Sequence, residues 1–402
     1  MSSLLFVESN TTGTGMIALT RARALGYEPI LVTADPSRYR GLAETGAGVL
    51  VRDTASAADI AAALDPSSLA GVTTTSEYYL PVVAELAEKF ALPGNPPAAM
   101  RAARDKAAVR DLLARAEVGQ PSFAVVDGLS GLDAALATVG LPCVVKPVDE
   151  SGSLGVRLCA SREEAAEQVE VLLAVRVNVR GLPRARSVLL EEYVTGREFS
   201  VELFGGSCIG VTQKSVGGAP WFVETGHVFP APLPDPVTAS LVDTARRAVA
   251  AVGITMGPTH TEIRLGARGP AVIEINGRLA GGMIPELIRL ATGVDLLEQQ
   301  IRAAAGLPVD LTGGATGRAG IAFLTVPAPG VLTGVAGVEA ARAIPGVHAV
   351  TVTAAPGASV RPPRDAYDRL GHVIAVGTCD RAVRDSLNAA RETIRLSLGD
   401  QP

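Results

Sequence analysis

Glu262, Glu274, Asn276 and Arg278 are the side chains whose types and spacing most suggest chemistry. They lie on two alternating runs, 259–265 and 271–278, separated by Gly266-Ala267-Arg268-Gly269-Pro270, which reads as adjacent strands joined by a short hairpin. Side chains on a strand alternate with period two, so His260, Glu262 and Arg264 share one face of the first run. On the second, Glu274, Asn276 and Arg278 share a face while Ile273 and Ile275 turn to the core. Pairing the runs gathers two carboxylates and an amide oxygen, hard donors that suit magnesium, which keeps waters and takes further ligands from nucleotide phosphates. A surface strand with a cross-strand charge pair, Glu274 with Arg264, would show the same pattern.

The lysines point the same way. Of 36 basic residues only Lys89, Lys106, Lys146 and Lys214 are lysine, so a lysine kept against this bias suggests a need for a compact point charge, the form that suits phosphate. Lys146 lies inside the apolar run Cys143–Val148, where an unpaired ammonium is costly and an anion is needed. The small-residue turn 149–156 follows, either a plain hairpin or a loop whose free amides wrap phosphate oxygens. Further on, the strand Val188–Val194 ends, turns at Gly196 and resumes, a hinge that can offer backbone donor and acceptor to a purine edge, with Glu198 placed for ribose hydroxyls.

Several elements must position these groups. An apolar run at 4–8, a glycine turn, a helix through Leu25 and a strand at 29–33 predict a parallel α/β start. Gly13, Gly15 and Ala18 match GxGxxA with Asp35 about 20 residues on, which fits a nicotinamide dinucleotide and equally a tight strand-to-helix turn. The strand 71–75 ends at Ser76-Glu77, where Glu77 either meets a substrate ammonium or starts a helix. Leu92–Pro97 reads as a boundary, followed by a helix over 98–117 that carries Arg104-Asp105-Lys106. From 122 to 194 the pattern is strand, helix, strand, turn, strand, helix, strand, a small α+β module. Trp221, in the loop 217–227, either covers a substrate or fills the core. His260, like His227, is either a general base or a hydrogen-bonding spacer. Gly281-Gly282 precedes a helix over 283–291, a turn that can also seat a carboxylate on free amides. After a linker at 306–317, residues 318–402 alternate short strands with a last helix over 381–398, on which Arg384, Arg391 and Arg395 form a solvated face.

A chain of 402 residues predicts two or three domains, and 48% hydrophobic with 19% charged residues is globular composition. No apolar run approaches the ~20 residues of a membrane helix, and the N-terminus lacks a basic leader, so a soluble cytoplasmic protein is expected. A net charge of −5 without a basic stripe argues against a nucleic-acid partner. Cys143, Cys159, Cys208 and Cys379 form no CxxC, which argues against a zinc site or a disulfide frame.

Taken in order, Lys106, Val145-Lys146-Pro147, the loop 149–155, Glu191-Glu192-Tyr193-Val194, Glu198, Glu262, Glu274 and Asn276 resemble the ATP-grasp superfamily. Within it, 227–233, 259–262 and 281–287 resemble the L-amino acid ligase group, and 327–332 and 369–375 its terminal domain. The resemblance implies a fold of mixed α/β and α+β class. Its parts are an N-terminal Rossmann-like, doubly wound domain (1–95), an ATP-grasp domain (96–310) with a lid at about 120–190, and a C-terminal α+β domain (318–402).

It also implies ATP and Mg2+, with Mn2+ as a substitute. Lys106 and Lys146 would hold the α- and β-phosphates, Gly152 and Ser153 would cover the β- and γ-phosphates, Glu191, Glu192, Tyr193 and Val194 would recognise adenine, and Glu198 would bind ribose. Glu262, Glu274 and Asn276 would hold the metal. Arg278 would meet the transferring phosphoryl group and the oxyanion, with Lys214 and His260 as further catalytic candidates. Glu77, His227, Gly281, Gly282 and Met283 are the substrate candidates. Two departures stand out: Asn276-Gly277-Arg278 replaces the Asn-Pro-Arg of many relatives, and Ser151 replaces a loop glycine. The expected reaction joins a small-molecule carboxylate, an amino acid's, to an amine with release of ADP and phosphate. No nucleic-acid or membrane partner is expected, and a homodimer is compatible. A biotin-carboxylase-like activity and an NAD(P)-dependent oxidoreductase are the alternatives.

Overall fold

The computed structural model describes residues 2–11, 14–314 and 317–399. Its first sheet is parallel, with strands in the order Gly48–Val51, Glu28–Thr33, Ser3–Val7, Leu69–Thr73. The apolar runs bury Leu5, Val7, Val32 and Val72 against Ile60 and Leu86. Of the GxGxxA motif, Gly13 lies outside the described residues. Gly15 opens the helix Gly15–Ala24, where a Cβ would come within 2.0 Å of the Asn10 carbonyl oxygen, so the close turn accounts for that glycine. Asp35 is spent on its own turn, accepting from the Ser37 amide at 3.0 Å. The crevice at the strand ends is filled by the buried carboxylate of Glu8, which accepts from Thr33 Oγ1, Ala34 N and Thr54 Oγ1.

The small module is a four-stranded antiparallel sheet in the order Phe123–Val126, Val188–Glu192, Cys143–Pro147, Arg157–Cys159, covered by the helices Leu132–Val139 and Arg162–Ala174. Its pattern follows the periodicity closely, because each strand is a short apolar run bounded by turn residues.

The largest sheet has eight antiparallel strands: Gly269–Asn276, Pro258–Gly266, Arg197–Phe204, Ser207–Val216, Glu224–Phe229, Arg318–Leu324, Gly371–Gly377 and Val347–Val352. It runs on across the linker expected at 306–317, because strand 318–324 pairs directly with strand 224–229. One face is sealed by the helix Asp235–Val252, whose Leu241, Ala245 and Val249 meet Phe199, Val201, Leu203, Ile263, Val272 and Ile275. Each such fully buried large side chain contributes roughly 1.5–3 kcal/mol, which makes this a stiff backing for the opposite face. Among the described residues, no helix is long and apolar enough to cross a membrane.

Three expected details differ. The helix over 98–117 is two helices, Pro97–Arg104 and Lys106–Arg115, because extended Asp105 caps the second through the amides of Ala107 and Ala108. The last helix ends at Thr393, and Arg395 begins a strand, Arg395–Gly399, on a second small sheet. In the hairpin, the register shifts between Glu262 and Ile263, so Ile273 is an extra residue. Val272 and Ile275 therefore enter the core, while Ile273 turns to the opposite side and lines the cavity beside Glu274.

Candidate functional site

The open face of the large sheet, the small module and the loop 149–155 border a cleft open to solvent. Its wall includes Lys106, Lys146, Gly152, Ser153, Glu191, Glu192, Tyr193, Val194, Glu198, Glu262 and Glu274. Residues called from widely separated motifs thus share one space.

Glu262 and Glu274 are direct cross-strand partners, as are His260 and Asn276. Glu274 reaches Lys106 Nζ at 3.5 Å, and the Arg264 pairing considered for it is absent, since Arg264 Nε donates to Glu198 at 2.9 Å. Lys214 is buried among Glu198 at 3.1 Å, Glu224 at 2.7 Å and Glu262. Burial disfavours its charge, but the three carboxylates outweigh this and hold its pKa well above the ordinary value. His260 lies between Glu202 at 3.0 Å and Glu262 at 3.2 Å. Burial works against its charged form, yet these carboxylates raise it to about 9. With no metal on Glu262 this shift favours the imidazolium, the form that has no free lone pair.

Among the described residues, no three His, Cys, Asp or Glu side chains stand ready to hold a metal ion by themselves. The donor set of Glu262, Glu274 and Asn276 fits an ion that completes its shell with phosphate oxygens and water, the habit of magnesium.

Lys146 and Glu191 form a buried ion pair at 2.7 Å, and Arg110 Nε donates to the second oxygen of Glu191 at 2.7 Å. Burial would raise the Glu191 carboxyl, but Arg110 and Lys146 hold it below its ordinary value. Each of its oxygens thus already has a cationic partner, and the pairing fixes Glu191 beside Lys146 at the cavity wall. Glu192 turns outward to Arg268 at 2.6 Å. Tyr193 and Val194 lie beyond the last ladder pair of their strand, although the Val194 carbonyl accepts from Arg264 Nη1 at 3.0 Å. Tyr193 stacks on Phe222 at 5.5 Å, and Arg264 lies over both rings. Phe222, rather than Trp221, is the aromatic that loop 217–227 brings to the cavity; Trp221 is half-buried between Arg157 and Arg364.

The loop Asp149–Val156 takes left-handed backbone at Gly152, Ser153 and Gly155, with φ of 69°, 62° and 71°. Left-handed residues in such a turn can present backbone amides to an anion, although the amides of Leu154 and Val156 donate within the loop, to Ser151 O at 3.4 Å and Ser153 O at 3.2 Å. Ser153 adopts the conformation at a steric cost a glycine would not meet. Ala366 of the C-terminal region donates its amide to the Gly152 carbonyl at 3.0 Å, so that region reaches the tip of the loop.

The acyl-side candidates also meet. Gly282 packs on His227, whose Nε2 would stand 2.7 Å from an added Cβ, and Met283 caps the helix Ile284–Thr292 with φ 61°. His227 is buried, its Nε2 lies 3.6 Å from Glu224 Oε2 without a hydrogen bond of normal length, and burial lowers its pKa against the pull of Glu224. Arg369 donates to Glu224 at 2.7 Å, adding a cation from the C-terminal region. Gly281 stands in the turn before the same helix. Arg278 is mostly buried and held by Glu77, with Leu279 O accepting from Nη1 at 2.8 Å. Glu77 accepts from Arg104 as well, so its charge faces two guanidinium groups.

Arg110, Glu224, Phe222 and Arg369 were not singled out by the sequence. Arg104 and Arg264 were named there without a role at the site, although strand parity had already put Arg264 on the face of His260 and Glu262. The others act across elements distant in the chain, where spacing is silent.

An ATP-grasp domain model matches residues 139–286, and a model of the L-amino acid ligase C-terminal domain 2 matches 322–399. The uncharacterized protein y4rH of Sinorhizobium fredii (strain NBRC 101917 / NGR234) is 34% identical over 99% of this chain and 84% of its own length. Carnosine synthase 1 of Gallus gallus is 31% identical over 56% of this chain, which spans only 26% of that longer protein. Among solved structures, the L-amino acid ligase from Bacillus licheniformis superposes with a TM-score of 0.84 at 22% identity, over 100% of this chain and 99% of its own. The chain belongs to the ATP-grasp ligases and, among them, to the L-amino acid ligase group.

Proposed function

We propose that this chain joins the carboxylate of an amino acid to an amine, using ATP and releasing ADP and phosphate through an acylphosphate. A free carboxylate resists attack by an amine, because negative charge shields its carbon and oxide is a poor leaving group. Transfer of the γ-phosphoryl group to a carboxylate oxygen removes both obstacles. The observation that supports this reading most is the grouping in one cavity of two lysines, the small-residue loop with its left-handed turn and the cross-strand pair Glu262 and Glu274.

In this reading Lys106 and Lys146 bind phosphates, and Glu191 pairs with Lys146 and opposes the burial that lowers its pKa. Ser153 and its loop cover the γ end, and Tyr193, Phe222 and Ile273 flank the base. Glu198 has a ribose within its reach only after sharing its oxygens with Arg264 and Lys214. Glu262, Glu274 and Asn276 would hold magnesium, which neutralises phosphate charge and polarises the transferring group when bound. Arg278 stabilises the oxyanion formed when the amine attacks. The acyl substrate sits against His227, Gly281, Gly282 and Met283. The lid excludes water that would otherwise hydrolyse the acylphosphate. The lining of lysines, carboxylates and small residues suits small-molecule substrates.

Phosphate release from ATP across pairwise amino acid pools, with mass spectrometry of the products, tests this. Amide products accompanied by one phosphate each are expected. Phosphate release that requires bicarbonate and no amine would replace this reading with a carboxylase.

A further inference from the structure

Glu77 opens the short 3-10 helix Glu77–Tyr79 that follows the strand Leu69–Thr73 of the N-terminal parallel sheet, and it is 3% exposed. Its Oε1 accepts from Arg104 Nη1 at 2.7 Å, and its Oε2 accepts from Arg278 Nε at 3.1 Å with a second bond from Nη2. Arg104 has a further partner: its Nη2 donates to the Asp149 carbonyl at 2.7 Å, and its guanidinium lies 4.7 Å from the centre of the Tyr78 ring. The Tyr78 hydroxyl donates to Glu150 Oε2 at 2.8 Å, and Lys106 Nζ donates to the Glu150 carbonyl. Asp149 and Glu150 are the first residues of the loop that lines the cavity. One buried carboxylate therefore stands between the arginine at the end of the hairpin and the root of that loop.

We propose that Glu77, acting through Arg104, is a positioning residue that ties the aim of Arg278 to closure of the 149–155 loop. The proposal rests on the ligase reading for what Arg278 does. Without the charge of Glu77, two largely buried guanidinium groups would face each other unpaired. Removing one partner from a buried ionic group leaves the others uncompensated, so the arginines separate. Arg278 then leaves its position and Asp149 loses its clamp in the same event. An interaction that matters only in the closed, reacting state lowers kcat while leaving nucleotide affinity nearly intact.

The test uses the full chain as Glu77→Gln and as Arg104→Lys. Hydrogen exchange is followed with and without magnesium and a non-hydrolysable ATP analogue, alongside steady-state kinetics and the ratio of phosphate to amide. In Glu77→Gln, exchange should rise at both 149–155 and 277–282 while the lid strands 143–147 and 188–192 keep their protection. Analogue affinity should stay within about threefold, kcat should fall at least about tenfold, and more than one phosphate should appear per amide. Arg104→Lys, which keeps the charge but loses the forked geometry, should move both segments in the same direction and serves alone if Glu77→Gln does not fold. Exchange that rises in only one segment, or kcat and analogue affinity that fall by equal factors, would overturn the proposal. If no substrate pair yields an amide with the unaltered protein, the ligase reading fails, whereas the paired exchange response still decides whether the two segments are tied.

Discussion

Glu262 stands directly opposite Glu274 in the antiparallel hairpin, yet the two carboxylates have different neighbours: Lys214 and His260 hold the first, and Lys106 approaches the second at 3.5 Å. Glu274 is the more exposed of the pair and has the fewer partners, so its removal should leave the fold intact. Glu274→Ala is expected to lower ATP-dependent phosphate release by at least about a hundredfold with an unchanged thermal midpoint. Chelation of divalent ions should abolish turnover in the unaltered protein, and magnesium or manganese should restore it. Undiminished phosphate release in the variant would remove the metal role.

Glu191 answers to two buried cations, Arg110 and Lys146. Glu191→Ala should destabilise the protein by about 3–5 kcal/mol, the usual cost of stranding buried charge, as read from urea unfolding. A loss under about 1 kcal/mol would mean that water reaches the triad and that Lys146 is not held by it.

His260, raised to about 9, gives a pH signature in the metal-free protein. Its folded value exceeds the ordinary 6.5, so its contribution to stability is complete below about pH 6.5 and disappears as pH rises through about 9. Unfolding midpoints measured from pH 6 to 10 in the presence of a chelator should fall across that window, and His260→Gln should flatten the fall. An unchanged slope in the variant would assign the dependence to other groups.

Phe222 stacks on Tyr193 beside the cavity, under Arg264. Phe222→Ala should weaken binding of an ATP analogue by roughly tenfold, the scale of one lost aromatic contact, with little effect on the thermal midpoint. Equal affinities measured by calorimetry would place the base elsewhere.

How much of this was legible in the sequence depended on whether the controlling interaction was local. The lid strands and helices follow from short apolar runs bounded by turns, and the hairpin follows from two runs of the right parity around Gly266–Pro270. Strict alternation failed at Ile273, because a bulge depends on how two strands register and not on either strand alone. The helix break at Asp105 had a local signal, an aspartate placed to cap, but the apolar period ran through it. Glu77 could not be assigned in advance: its partners Arg104 and Arg278 are 27 and 201 residues away. The pKa of His260 likewise depends on Glu202, which lies 58 residues off on the neighbouring strand.

Strand Glu224–Phe229 pairs on one side with Ser207–Val216 and on the other with Arg318–Leu324, and it includes His227. Cutting the chain near residue 312 would therefore bare the edge of Gly226–Phe229, on the ribbon that carries His227, inviting aggregation rather than releasing a smaller working enzyme. Exchange of tail regions between relatives faces the same obstacle: a transplanted tail must match this seam in register, or it will misplace His227 and Arg369 together.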